Sequence, residues 1–374
     1  MLQNCHRELL GDGIFAVDGH LWSLQCKIAS HEFTTRSLKH FISETVGREI
    51  SDRLLPFLSR ACDEGRVFDL QEALQRFTFD NICSVVFGVD PNCFAAEEEA
   101  WEISVETEAI LQSRVGETVR IEHKSDQRVR DGHHHIERGT NRIGGDRTGE
   151  QRRDGPRSRA PIWSKDSTST ALTWLFWLIA AHPSCEREIL KELSSTAAEV
   201  KIFSYDELKS LHYLHAAVTE SMRLFPPVPI NSRLTVDDDV LPDGTRVGKG
   251  WFADYSAYAM GRSEEVWGPD CREFKPERWL DGGDGDHQNV RFRPSDQWKY
   301  PVFHCGPRMC LGKEMAYVQM KSVAAAVMAE FEVLPAVDGG ESARRMADPP
   351  YTLSLLLKMR GGLPVRLRRR RRRD

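Results

Sequence analysis

The sequence predicts a mainly α-helical protein with small β-sheets, an α+β fold. Three observations lead there. Long stretches carry apolar residues at helical spacing: Phe41, Val46, Ile50, Leu54 and Leu55; Phe77, Ile82, Val85 and Val86; Leu211, Leu214, Val218 and Met222. Shorter runs punctuated by Pro, Asp and Gly read instead as hairpins, at 240–255 and again beyond Phe331. Finally, 374 residues that are 40% hydrophobic and 29% charged can bury a sizeable core.

Taken in order, residues 9–22 read as a turn-rich approach to a helix that gathers from Ser30 and runs through Leu55. A second amphipathic stretch, 68–88, is stopped by Pro91, and helix restarts over 101–111. At 123–163 arginines alternate with Gly, Asp and the triplet His133-His134-His135, and apolar residues almost vanish. Such a segment cannot bury enough surface to offset its ordering entropy, so disorder is expected. The abrupt change in composition reads as a frame-shifted or mis-spliced stretch.

Ordinary globular sequence resumes at Lys165-Asp166-Ser167-Thr168, which opens a strongly apolar helix ending near His182-Pro183. Helices follow at 186–193, 205–208 and 211–222, the last ended by Pro226 and Pro227. An extended stretch with Val228 and Ile230 then leads to a hairpin around Pro242-Asp243-Gly244. Residues 282–286 form a flexible loop. Residues 351–359 and 363–367, separated by Gly361-Gly362, read as a closing hairpin before the basic run 368–373, which reads as a solvated end.

The formal charge of -5 is too mild to imply a partner. No aromatic residues are interleaved with the arginines for base stacking, so no nucleic acid is expected. Nine cysteines, without a C-x-x-C pair, argue against a disulfide framework and for a reducing compartment. No apolar run of about 18 residues is present, and the N-terminus lacks a charged-then-apolar signal pattern.

The stretch that carries chemistry is Phe303-His304-Cys305-Gly306-Pro307-Arg308-Met309-Cys310-Leu311-Gly312, followed at once by a helical run to Phe331. A cysteine in a glycine-punctuated loop, two residues after an arginine and just before a helix, can act as a thiolate metal ligand. Gly306 and Gly312 permit close backbone approach to a flat cofactor, and Phe303 could cover the sulfur. The pattern Phe-x-x-Gly-x-Arg-x-Cys-x-Gly resembles the haem-binding loop of the cytochromes P450. The resemblance implies the fold of that family, haem b, and Cys310 as the axial iron ligand.

Further stretches extend the resemblance. Asp166, Ser167 and Thr168 match the acid and hydroxyl positions of the oxygen-activating helix, although Trp163 and Ser164 stand where two small residues are usual. Glu220 and Arg223 match a Glu-x-x-Arg pair, and Phe274-Lys275-Pro276-Glu277-Arg278-Trp279 the motif whose arginine joins it. Together Glu220, Arg223 and Arg278 would lock the loop under the haem. Trp22, Arg233 and Arg308 fall at positions that hold haem propionates, whereas Cys26 replaces the arginine that usually follows Trp22 by four residues.

Tyr258-Ala259-Met260-Gly261-Arg262 and Val266-Trp267-Gly268-Pro269-Asp270 are similar to plant fatty-acid ω-hydroxylases. That branch implies hydroxylation of a fatty acid, or a molecule derived from one, at or near the chain end. The resemblance further implies electrons from NADPH through a separate P450 reductase, a small lipophilic substrate and location at the endoplasmic reticulum membrane. A different-class alternative is a catalytically inactive remnant of the fold. The expected organisation is an N-terminal helical part at 1–122 without the anchor and first β-region, the segment 123–163, a haem-binding part at 164–367 and a basic tail at 368–374.

Overall fold

The computed structural model describes residues 14, 17–95, 164–196, 202–281, 290–336, 349–353 and 355–370. The expected helix at 101–111, the segment 123–163 and the loop 282–286 lie outside the described residues. The chain divides into two units, Met1–Val17 with Ala95–Ala160 and Asp18–Phe94 with Pro161–Asp374. Every helix and strand below belongs to the second.

Helix α1 spans Gly19–Ser30, so the stretch around Trp22 is helical rather than a turn-rich approach. Asp18 holds extended backbone just before it, and the first turn closes through Trp22 N–H to the Asp18 carbonyl at 3.4 Å. The helical run 35–63 (α2) is capped by Thr34, whose hydroxyl accepts the Ser37 N–H at 3.2 Å. Two wider turns interrupt α2, at Phe41–Val46 and Ile50–Leu54, where N–H groups reach carbonyls five residues back. Its buried stripe is Leu38, Phe41, Ile42, Val46, Ile50, Leu54 and Leu58.

After the short strand β1 (Phe68–Asp69), α3 spans Leu70–Ile82 and continues in a wide turn, Cys83–Phe87. Gly88 ends it with φ 62°, three residues before the proline expected to stop it. A left-handed glycine satisfies the last carbonyls of a helix, so termination needs no proline.

Helix α4 (Ser164–Ala181) is apolar nearly all round, as a helix enclosed by its neighbours must be. It packs against α3 and against the later helices His212–Leu224 and Lys313–Glu330. Trp174 stacks on Phe225 with ring centroids 4.1 Å apart and donates its indole N–H to the Leu357 carbonyl at 2.7 Å. Thr173 bonds back to the Ser169 carbonyl at 2.8 Å, which lets a hydroxyl sit inside this core.

Helices α5 (Pro183–Thr196), α6 (Tyr205–Ser210) and α7 (His212–Leu224) follow. A capping box of Ser204 and Glu207 starts α6. The start of α7 is capped from outside: Glu192 on α5 accepts the N–H groups of Tyr213 and Leu214 at 2.7 and 2.9 Å. Beyond the prolines, β2 (Asn231–Leu234) pairs antiparallel with β5 (Phe252–Tyr255), and inside them β3 (Asp239–Val240) pairs with β4 (Arg246–Val247). The expected hairpin turn is present, with Gly244 N–H bonded to the Leu241 carbonyl at 2.8 Å. Strands β6 (Leu280–Asp281) and β7 (Arg291–Phe292) form a further pair.

Helix α8 spans Lys313–Glu330 and leads directly into β8 (Phe331–Pro335). The expected closing hairpin differs from the one observed. Strand β9 (Tyr351–Leu353) pairs with β10 (Leu357–Met359), whereas β11 (Pro364–Arg369) lies between β1 and β8 in a separate three-stranded sheet. The switch occurs at Gly361-Gly362, both at positive φ. A Cβ on Gly362 would meet the Asp69 carboxylate at 1.9 Å, and that carboxylate accepts the Leu363 N–H at 2.8 Å. Arg368 and Arg369 are exposed strand residues paired with Glu332 and Asp63, and Arg370 reaches Glu186, so the run begins in ordered structure.

Glu220 on α7 is fully buried between two guanidiniums. Arg223 grips it in fork geometry, Nε to Oε2 at 2.7 Å and Nη2 to Oε1 at 2.8 Å. Arg278 Nε approaches Oε1 at 3.4 Å, the Lys275 N–H donates to Oε1 at 3.0 Å, and the Trp279 indole donates to Oε2 at 2.8 Å. Arg223 continues to the carbonyls of Cys271 and Glu273 at 2.6 and 2.9 Å. Arg278 continues to those of Trp267 and Asp270 at 3.0 and 3.1 Å. Glu220→Ala strands the buried guanidinium of Arg223; chemical denaturation should register a loss of about 3–5 kcal/mol.

Candidate haem-thiolate site

The Cys310 loop is held by its own backbone. The Cys310 N–H donates to the Phe303 carbonyl at 2.8 Å, and the Met309 N–H to Gly306 at 3.1 Å. Gly306 stands at φ 68°, a left-handed conformation that glycine adopts without strain. The Phe303 ring lies against Tyr317, centroids 5.3 Å apart, so this residue reaches Cys310 through its carbonyl.

The Cys310 side chain is half-buried. Burial pushes its thiol up, while the N–H of Gly312 and the charge of Lys313 pull it down. Both lowering influences come from the start of α8, as the sequence order of loop and helix requires. Gly312 approaches the sulfur closely: a Cβ there would stand 3.9 Å from Cys310 Sγ and 3.6 Å from the Phe33 ring.

Two cationic groups stand at the loop, Arg308 within it and Arg233 on β2. Arg308 lies over the Trp22 ring at 4.2 Å and pairs with Asp18, which joins α1 to the loop. Cys26, one turn beyond Trp22, feels the positive charge of Arg308 as well. On β2, Arg233 lies 6.0 Å from the Tyr255 ring centroid; burial and then the Arg233 charge lower His304, while burial raises the Cys305 thiol against the pull of Arg233. His304 itself has φ 61° and its Nδ1 is 3.2 Å from the Tyr255 hydroxyl. A non-glycine residue in that region is strained by about 1–3 kcal/mol.

On α4, Thr168 is buried and Ser167 half-buried. The Asp166 carboxylate pairs with Lys358 Nζ at 3.1 Å, across from β10. Each side chain is about 30% exposed, so the pair is neither dry nor fully solvated. Lys358, Asp18 and Tyr255 were not singled out by the sequence. Lys358 does carry a signal, as a lone charge between apolar Leu357 and Met359 on a strand, where it must face away from them.

A soft sulfur ligand with one guanidinium on its own loop and a second brought near by β2 matches an iron porphyrin that bears two carboxylates. The residues present therefore fit haem. Among the described residues the eight cysteines are all free, no cluster of His, Cys, Asp and Glu could hold a metal ion, and no helix is long and apolar enough to cross a membrane.

Comparison with known proteins agrees with this site. The cytochrome P450 family model matches residues 1–126 and 164–356. Cytochrome P450 94A2 of Vicia sativa is 39% identical over 401 residues, covering 97% of this chain and 76% of that protein. Cytochrome P450 94B3 of Arabidopsis thaliana is 39% identical over 398 residues, with the same coverage of 97% and 76%. Cytochrome P450 CYP94D109 of Paris polyphylla is 39% identical over 407 residues, covering 96% and 78%. A crystal structure of a cytochrome P450 superposes with a TM-score of 0.71 at 18% identity, covering 98% of this chain and 86% of that one. With the loop, the fold and these similarities in agreement, the chain belongs to the cytochrome P450 family of haem monooxygenases.

Proposed function

We propose that this chain hydroxylates a fatty acid, or a molecule derived from one, at or near the end of the alkyl chain. The reading is supported by the stretches 258–262 and 266–270, which are similar to plant fatty-acid ω-hydroxylases, and by relatives of the cytochrome P450 94 series. Its partners are an NADPH-dependent P450 reductase and a lipophilic substrate, and its location is the endoplasmic reticulum membrane.

When bound, haem supplies activation of dioxygen and transfer of one oxygen atom to a C–H bond. Cys310 would supply the thiolate that holds its iron, presented by the Phe303 carbonyl bond and the start of α8. Arg308, Trp22 and Arg233 would hold the carboxylates of the macrocycle, with Tyr255 and His304 steadying the Arg233 side of the loop. Asp166 holds a carboxylate at the start of α4, and Ser167 and Thr168 add hydroxyls beside it for moving a proton. Lys358 pairs with that carboxylate and turns it toward β10. The lock of Glu220, Arg223 and Arg278 is structural: it touches backbone carbonyls and not the Cys310 sulfur.

The carrying observation is the Cys310 loop seated between α1 and α8, and a reduced carbon-monoxide difference spectrum of the full chain tests it. The expected result is the red-shifted Soret band of thiolate-ligated haem, lost in Cys310→Ser, where the hydroxyl is a poor ligand for iron. No haem uptake by the wild-type chain would instead identify an inactive remnant, the reading that Cys26 in the usual arginine position favours. Asp166→Asn should retain the spectrum and lower the rate of fatty-acid hydroxylation on the order of 10²-fold. Unchanged turnover with saturating reductase would remove Asp166 from the proton path.

A further inference from the structure

A buried acidic cluster, away from the Cys310 loop, joins α2 to α3 and to the segment 88–94. Glu49 is 7% exposed and Asp80 is fully buried. Both meet at Arg53: its Nη1 donates to Glu49 Oε2 at 2.9 Å and stands 3.5 Å from Asp80 Oδ2. The same guanidinium donates to Asp90 Oδ1 at 2.7 Å. Asp80 also accepts the Cys93 N–H, at 3.2 and 2.9 Å to its two oxygens. Arg76, on α3, donates to Glu72 and to the Cys93 carbonyl. Three carboxyl groups thus converge on Arg53, and Glu49 Oε1 is buried with no hydrogen-bond partner.

An ionised Glu49 would leave that oxygen desolvated and unpaired beside a second buried carboxylate, which is costly on both counts. A proton on Oε1 removes both problems, because the carboxyl becomes a donor with Asp80 as its acceptor. We propose that Glu49 is protonated in the folded protein near neutral pH and donates to Asp80, making this junction of α2, α3 and segment 88–94 a pH-dependent latch.

The electrostatics agree. Burial, followed by the charge of Asp80, pushes Glu49 up to about 8, against the pull of Arg53. Burial raises Asp80 too, but the thiol and N–H of Cys93, the proton of Glu49 and the charge of Arg53 all draw it back, which makes Asp80 the acceptor. The Cys93 thiol is pushed up by burial and by Asp80 and stays protonated. Asp90 is held below the usual carboxylate range by Arg53.

The sign follows from a folded pKa above the unfolded one. The contribution to stability is complete below the ordinary value of 4.5 and disappears as pH rises to about 8. Thermal unfolding of the full chain between about pH 5.5 and about pH 8.5 tests this. Tm of the wild type should fall across that window, and Glu49→Gln, whose amide still donates to Asp80, should fall less and exceed the wild type at the alkaline end. Parallel profiles would overturn the proposal. Asp90→Asn, a change at an exposed position, provides a second variant: it frees Arg53 for Glu49 and should shrink the alkaline loss. An unchanged profile in that variant would also count against the latch.

Discussion

The structure depends on how one carboxylate is satisfied. Glu220 sits with no solvent exposure in α7, and five donors from Arg223, Lys275, Arg278 and Trp279 surround it. A buried charge of this kind is tolerable only when nearly every lone pair is engaged. The guanidiniums that satisfy it then bond carbonyls between Trp267 and Glu273, so an irregular segment with little secondary structure acquires a defined path. That segment leads into the chain that ends in the Cys310 loop.

A second constraint is the apolar character of α4. Because Leu172, Trp174, Leu175 and Phe176 are all buried, this helix has no freedom to rotate in its socket of α3, α7 and α8. Asp166 at its start is therefore placed by packing that lies further along the helix. Its pairing with Lys358 adds an electrostatic tie to β10, whose Leu357 carbonyl already accepts the Trp174 indole. The acid and the hairpin are consequently one mechanical unit. The Glu49–Asp80 cluster performs a related task at α2 and α3, with a proton in place of a second cation.

Most helices were legible because their apolar residues recur at the period of the elements that bury them, as in α4, α5 and α7. Boundaries were less so. Gly88 rather than Pro91 ends α3, since a left-handed glycine closes a helix by geometry that no periodicity records. The stretch at Asp18 read as a turn because Asp and Gly favour turns, yet the carboxylate of Asp18 is taken by Arg308, 290 residues further along the chain, and the helix begins beside it. Cys310, Arg308 and Trp22 were found from the order of residues, and the structure brings the last two into contact. The partners Lys358, Tyr255 and Asp18 escaped notice because each is meaningful only across a fold.

By itself the sequence determined the helical segments, the loop that presents Cys310 and the family to which the chain belongs, because each of these is written in local spacing and residue chemistry. Only the tertiary structure decided that 363–367 leaves the β9–β10 hairpin to become β11 between β1 and β8. The reason is a long-range one: Asp69 captures the Leu363 N–H and leaves no room for a Cβ at Gly362, turning the strand toward β1. Likewise the basic run beginning at Arg368 looked solvated, and its first three arginines became ion-paired only because β11 carries them to Glu332, Asp63 and Glu186. Strand pairing and charge pairing join residues far apart in the chain, and no local pattern specifies which partner a group will meet.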